Sequence, residues 1–251
     1  MTPAGRRVTG ALLALAFVAL AVTGQLASTH GASPVSAHEL RRAPALAPSG
    51  AGTPMSPEGA RLRMSPGDRV DPTWTTSVAA RTGIPQTAVA AYGAATLRLA
   101  RERRGCRLAW NTLAAIGHVE SEHGTVGGRT LRPDGRPSAP VLGPALDGRD
   151  FASIPSTVAS VGWHGDVRWD HAVGPMQFIP STWARWRSDG DDDGRADPHD
   201  LFDAAYAAGR YLCASDADLT TGHAWTEAIR SYNRSDAYVA LVLAAANAYA
   251  Q

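Results

Sequence analysis

From residue 84 onward the chain is a series of apolar segments at 3.6-residue spacing with helix breakers at their ends, a pattern that leaves little besides helices to build with. IPQTAVAAYGAATLRLARERRG (84–105) has Pro85 at its start and Gly105 at its stop. LAWNTLAAIGHVES (108–121) reads as a second helix and PSTWARWR (180–187) as a short one. DPHDLFDAAYAAGRYLCA (197–214) follows, with Asp197 expected as N-cap and Pro198 in the first position. AWTEAIRSYN (224–233) and SDAYVALVLAAANAYA (235–250) complete the set. Strand signals are nearly absent, so the expected class is all-α. Residues 124–174, heavy in Gly, Pro and Asp, read as one long loop, and loops of that length in a compact domain are usually functional.

The N-terminal third is of a different kind. Arg6 and Arg7 precede the apolar run ALLALAFVALAV (11–22), and small and polar residues follow. That order describes a secretory signal peptide, with VSA (35–37) or QLA (25–27) as the cleavage site. An uncleaved anchor is the alternative, but a span of ~20 residues would have to include Thr9, Gly10, Thr23, Gly24 and Gln25. The division expected is 1–37 signal peptide, 38–70 Ala/Pro/Ser-rich flexible linker and 71–251 folded domain. Export makes the two cysteines, Cys106 and Cys213, most simply a disulfide, the alternative being two buried thiols. Net charge is +1, every basic side chain is Arg or His, and RERRGCR (101–107) is the one dense basic run, so nothing argues for nucleic acid.

IGHVESEHG (116–124) packs two histidines and two glutamates together. On a continuous helix His118 and His123 stand five apart, on different faces, whereas a zinc pair needs a spacing of four. They read as ordinary, partly exposed histidines. Glu120 shares the apolar face of Leu113, Ile116 and Gly117, while Glu122 stacks over Ala115, His118 and Val119, nearer water. A carboxylate on an apolar face is costly unless paired or functional, and desolvation raises its pKa toward the range of a general acid. Glu120 is thus either catalytic or paired with an arginine such as Arg230.

SDGDDDGRADPHDL (188–201) carries Asp189, Asp191 and Asp193 at loop positions one, three and five, and Gly194 at six. Arg195 would offer its carbonyl at seven, with Asp197 at nine and Asp200 at twelve. That is the EF-hand loop pattern with Asp where a bidentate Glu normally closes it, so a structural Ca²⁺ is expected. The plain alternative is that Asp197 and Asp200 cap the next helix and the other aspartates form a solvated turn.

VGPMQFIPSTWARW (173–186) and SYN (231–233), taken with IGHVES, resemble the lytic murein transglycosylases of the membrane-bound lytic transglycosylase B type, in an actinobacterial-style version. The resemblance covers roughly residues 75–250. It implies a lysozyme-like helical domain that cleaves the β-1,4 bond between N-acetylmuramic acid and N-acetylglucosamine in peptidoglycan, working as a secreted, wall-associated monomer. It places the single acid/base on Glu120, lines the cleft with Met176, Gln177 and Phe178, and sets Tyr232 and Asn233 over the carboxylate and the substrate's N-acetyl group. Some members carry a calcium loop here with a longer spacing. RWDHAV (168–173) is charged and bulky where better-known members have small and hydroxyl residues, which leaves the roles of Arg168 and Asp170 open. One carboxylate suffices if the muramyl 6-hydroxyl attacks C1. If water attacks instead, as in a muramidase, Glu122, Asp166 or Asp170 must supply a second. A wall- or calcium-binding protein without turnover is the remaining alternative. Trp163, Trp169 and Trp183, in or beside the loop, suit either sugar stacking or core packing.

Overall fold

The structure, a computed structural model, describes residues 69–251; the expected signal peptide and nearly all of the linker lie outside them. The class is mainly α. Helix α1 (Pro72–Thr82) was not foreseen: its stripe PTWTTSVAART is weakly apolar and rich in Thr, yet its ends are well marked. Asp71 accepts the Thr73 N–H at 2.7 Å, Pro72 opens the first turn, and Gly83 closes it with φ 73°. Helices α2 (Gln86–Glu102) and α3 (Trp110–Ser121) follow as expected, α2 stopping three residues before Gly105.

The long loop is more structured than its composition suggested. It contains strand β1 (Leu142–Ala145), helix α4 (Val158–His164) and strand β2 (His171–Val173). The strands pair antiparallel, with an irregular register between Leu142 and Ala145. A reciprocal cap between Thr157 and Ser160 starts α4, and Gly165 (φ 80°) ends it. Bridges Asp147–Ser153, Pro155–Trp169 and Val173–Phe178 stitch the remainder together.

After α5 (Pro180–Trp186) the chain turns through the aspartates into α6 (Leu201–Leu212), then α7 (Gly222–Tyr232) and α8 (Asp236–Tyr249). The expectation that Asp197 caps α6 is corrected: the cap is Asp200, whose carboxylate accepts the Phe202 N–H at 2.9 Å. Asp197 is spent in the preceding turn, accepting the His199 N–H and pairing with Arg136 at 2.8 Å, so residues 197–200 form a turn instead of a first helical turn.

Helix α2 lies against α6 and α3 against α8. A Cβ on Gly209 of α6 would come within 2.3 Å of Leu99 on α2, so a glycine is what lets those two axes approach. Trp110, Trp183, Trp225, Tyr92, Leu113 and Ile116 fill the middle. Cys106 and Cys213 form the disulfide, Cα–Cα 5.5 Å, tying the entry of α3 to the exit of α6. Constraining so long a segment of the unfolded chain contributes up to ~4.7 kcal/mol. Among the described residues no helix is long and apolar enough to cross a membrane.

Candidate active site

Glu120 stands on the last turn of α3. The helix ends there because Glu122 and His123 both turn left-handed, with φ 52° and 62°. Ser121 locks that end: its Oγ accepts the Gly124 N–H at 2.8 Å and donates to the Pro175 carbonyl at 2.6 Å. Glu120 is thus fixed to the GPMQF turn through its immediate neighbour.

The Glu120 side chain keeps one edge open, but its carboxyl is enclosed by protein. Burial pushes its pKa up from 4.5 to about 8, against the pull of the Tyr238 hydroxyl, which donates to Oε1 at 2.6 Å. Arg230, the alternative partner, pairs with Glu227 and Asp236 instead. Tyr238 was missed in the sequence. Its signal was an aromatic residue in the first turn of an Ala- and Leu-rich helix, three residues after the Ser235 cap.

Tyr232 lies close enough to Glu120 that the carboxylate, after burial, helps push its phenol pKa upward, and its hydroxyl donates to the Met176 carbonyl at 2.7 Å. Phe178 meets Tyr232 and Trp183 edge-on, at 6.1 and 5.4 Å between centroids. Gln177 takes the left-handed conformation, φ 49°, which a non-glycine residue holds only where its surroundings impose it. Its Nε2 donates to the Gly174 carbonyl at 2.9 Å. Met176 is 0% exposed, so it contributes packing and a backbone carbonyl to the wall; Trp183, equally enclosed, is core and not a sugar platform. Asn233 is 1% exposed; its Oδ1 accepts the Ser235 N–H and its Nδ2 has no partner, leaving a buried donor unspent.

One of the two histidines departs from its expected placement. Because α3 stops short of residue 123, the left-handed turn folds His123 back until its ring is 5.5 Å from that of His118. His123 is buried between the Tyr92 hydroxyl at Nδ1 and the Tyr249 hydroxyl at Nε2, both at 3.1 Å, and burial lowers its pKa to about 3. His118 stays exposed on α3, as expected, while His123 is buried beneath the helix. Asp170 is buried under the Ser160 hydroxyl and His164, and Asp166 accepts the Arg168 and Trp169 N–H groups and faces His171. Asp166 and Asp170, the two loop carboxylates named as possible second groups, are therefore both engaged.

In the acidic loop, carboxylate oxygens of Asp189, Asp191 and Asp203 lie within 4.8 Å of one another. Asp189 accepts the Asp193 and Gly194 N–H groups, and Gly194 has φ 89°, as the sixth position of such a loop requires. The carboxylate that converges with Asp189 and Asp191 is that of Asp203, whose two oxygens also accept the Gly190 and Asp197 N–H groups at 2.6 and 2.8 Å. Asp200 is committed to its cap and lies 3.6 Å from Arg136, and Asp203, one turn into α6, joins the group instead. Asp193 and Arg195 meet each other, the Arg195 N–H donating to the carboxylate. Burial, then repulsion from Asp200 and Asp191, pushes Asp203 up to about 8. Three converging hard oxygen donors whose mutual repulsion a cation would relieve can hold a metal ion. Comparison with protein-family models, curated proteins and solved structures finds no match.

Proposed function

We propose that the chain is a lytic transglycosylase of peptidoglycan, with a lysozyme-like arrangement of helices around Glu120 and a structural Ca²⁺ in the acidic loop. The observation that carries the reading is a single carboxyl, enclosed by protein on a side chain with one open edge and raised to about 8, so that at neutral pH it is a protonated acid. Of the loop carboxylates that could act as a second group, Asp166 and Asp170 are both engaged elsewhere. That combination suits a reaction whose nucleophile belongs to the substrate.

Glu120 donates its proton to the glycosidic oxygen as the C1–O bond breaks, and the resulting carboxylate is held by the Tyr238 hydroxyl at 2.6 Å. The muramyl 6-hydroxyl forms the new bond to C1 and returns its proton to Glu120, so no water is consumed and the acid is regenerated. Holding the sugar in the closing geometry supplies the high effective concentration that replaces a second protein group. Gln177, Phe178 and Tyr232 form the wall, and Asn233, 1% exposed, backs it. Ca²⁺ would be held by Asp189, Asp191 and Asp203 and would supply only fixed positive charge to the turn.

Mass spectrometry of the soluble products from purified peptidoglycan tests the reading. Anhydromuropeptides from the protein, and none from Glu120→Gln, are expected. Reducing-end products would instead mean a hydrolase, and wall binding without products a non-catalytic protein.

A further inference from the structure

RWDHAV, where the chain leaves the pattern it otherwise resembles, forms the approach to β2 and the strand itself. His171 opens β2 with its Nδ1 2.7 Å from the Gly143 carbonyl and its Nε2 3.2 Å from Asp166 Oδ2. A carbonyl and an ionised carboxylate can only accept hydrogen bonds. Asp166 is ionised: the N–H groups of Arg168 and Trp169, with His171, lower its carboxyl to about 2. A neutral imidazole carries one N–H and satisfies one of these neighbours, whereas the imidazolium satisfies both.

The adjoining ring has the opposite assignment. His164 Nδ1 accepts the Asp166 N–H at 3.1 Å and its Nε2 faces Asp170 Oδ1 at 3.2 Å, the pattern of a neutral ring protonated on Nε2. The two rings lie 5.1 Å apart, so one charged and one neutral ring avoids repulsion. The titratable groups facing His171 are Asp166 from the turn and His164 from α4, with Asp170 behind it. The residues of β1 (LGPA) and of the GPMQF turn contain none.

What this ring holds bears on the cleft. Gly143 lies in the irregular part of the ribbon, and a Cβ there would stand 2.9 Å from Gln177 Oε1 and 3.1 Å from the Ala172 Cβ. The strained Gln177 therefore rests its amide directly on the Gly143 backbone. We propose that His171, as an imidazolium bridging Asp166 and the Gly143 carbonyl, is a positioning residue that clamps β1 beneath Gln177 and makes this cleft wall sensitive to pH. Loss of the second ring proton turns a lone pair toward the Asp166 carboxylate and breaks the bridge at that end, so the ring, still donating from Nδ1 to Gly143, no longer ties β1 to the Asp166 turn. Only the effect on turnover rests on the transglycosylase reading; the clamp does not.

The test is long-range ¹H–¹⁵N spectroscopy of the histidine rings in the full chain, from about pH 5 to 8, with the Gly143 and Gln177 amides followed in the same samples. Both ring nitrogens of His171 are expected to carry protons at the acid end and His164 only its Nε2. The two amide signals should then move with the midpoint of the His171 ring, and muropeptide release should fall about tenfold over the same step. Asp166→Asn keeps its oxygen for the backbone N–H groups and offers an N–H to a neutral ring, so it should abolish the pH dependence of both readouts. His171→Phe should give amide positions like those of the open clamp at every pH and raise KM more than it lowers kcat. A single ring proton on His171 throughout the range, or amides that ignore its titration, overturns the clamp. If the chain releases no muropeptides, the ring and amide signals still decide it.

Discussion

The ionisation of Glu120 is resisted by the folded chain. Its pKa rises from 4.5 to about 8 on folding, so the folded state holds the proton more tightly than the unfolded one across that window. The advantage is fully present below pH 4.5 and is lost as pH rises through 8. Glu120→Gln keeps the shape and cannot ionise, so it should be more stable than the parent by roughly 2 kcal/mol at pH 7, allowing for the open edge of the side chain. The gain should vanish toward pH 4, which urea midpoints at the two pH values would show; an equal gain at both would mean the carboxyl is not buried as described. The same substitution should reduce muropeptide release by ~10³-fold or more. Tyr238→Phe removes the one hydrogen bond that lowers this pKa, so the alkaline limb of kcat should shift to higher pH while kcat falls roughly tenfold. A limb that stays in place would detach Tyr238 from the acid. Glu120 could be picked out in the sequence because a charge on an apolar stripe is conspicuous; Tyr238 could not, because a tyrosine on an apolar stripe is ordinary.

Helix α3 is carried on a side chain from α2. A Cβ on Gly117 would lie 2.0 Å from the Tyr92 hydroxyl oxygen and 2.9 Å from the ring carbon that bears it. Gly→Ala inside a helix normally stabilises by roughly 0.5–1 kcal/mol, but here Gly117→Ala should destabilise by about 2 kcal/mol. In a Tyr92→Phe background the hydroxyl is gone and the tighter clash with it, so the penalty should shrink by at least ~1 kcal/mol. Chemical denaturation of the four proteins of the cycle measures this, and additivity would show that Tyr92 is not the obstruction. Legibility at this scale followed signal strength. Helices α2, α3, α7 and α8 could be read because their apolar spacing is long and clean. Helix α1 could not, since Thr75 and Thr76 spend their hydroxyls on the Pro72 carbonyl and leave no apolar stripe to see. Helix α4 and the β1–β2 ribbon are held by capping and cross-chain bonds such as Ser156 N–H to Arg168 and Asp170 N–H to Ile154, which have no sequence period. The end of α3 is the costliest such gap: a left-handed Glu122 and His123 cannot be foreseen from helical spacing, and they reverse where His123 points.

At the scale of the molecule, the acidic loop and the cleft share a backbone contact. A Cβ on Gly174 would stand 1.7 Å from the Pro198 carbonyl, so the turn that carries Gln177 is seated on the turn that leads into α6. His199 extends the contact, its Nε2 donating to the Trp163 carbonyl at 2.9 Å and so joining the same turn to α4. On the far side Arg98 of α2 donates to the Asp189 carbonyl and pairs with Asp192. A cation held by Asp189, Asp191 and Asp203 would therefore brace α2, α6 and the Gln177 turn together. Ligand that binds only the folded state stabilises it by about 2.7 kcal/mol at a hundredfold excess over Kd, so Ca²⁺ should raise the Tm and a chelator should reverse the change. Asp203→Asn and Asp200→Asn separate the two closing residues. Asp203→Asn should abolish the Ca²⁺-dependent shift, whereas Asp200→Asn, still able to cap α6, should retain it, because its carboxylate is directed to Phe202 and Arg136. Retention in the first variant and loss in the second would restore the twelve-residue loop read from the sequence. Loss in both would mean that the ion spans the two residues, with Arg136 displaced from Asp200 on binding.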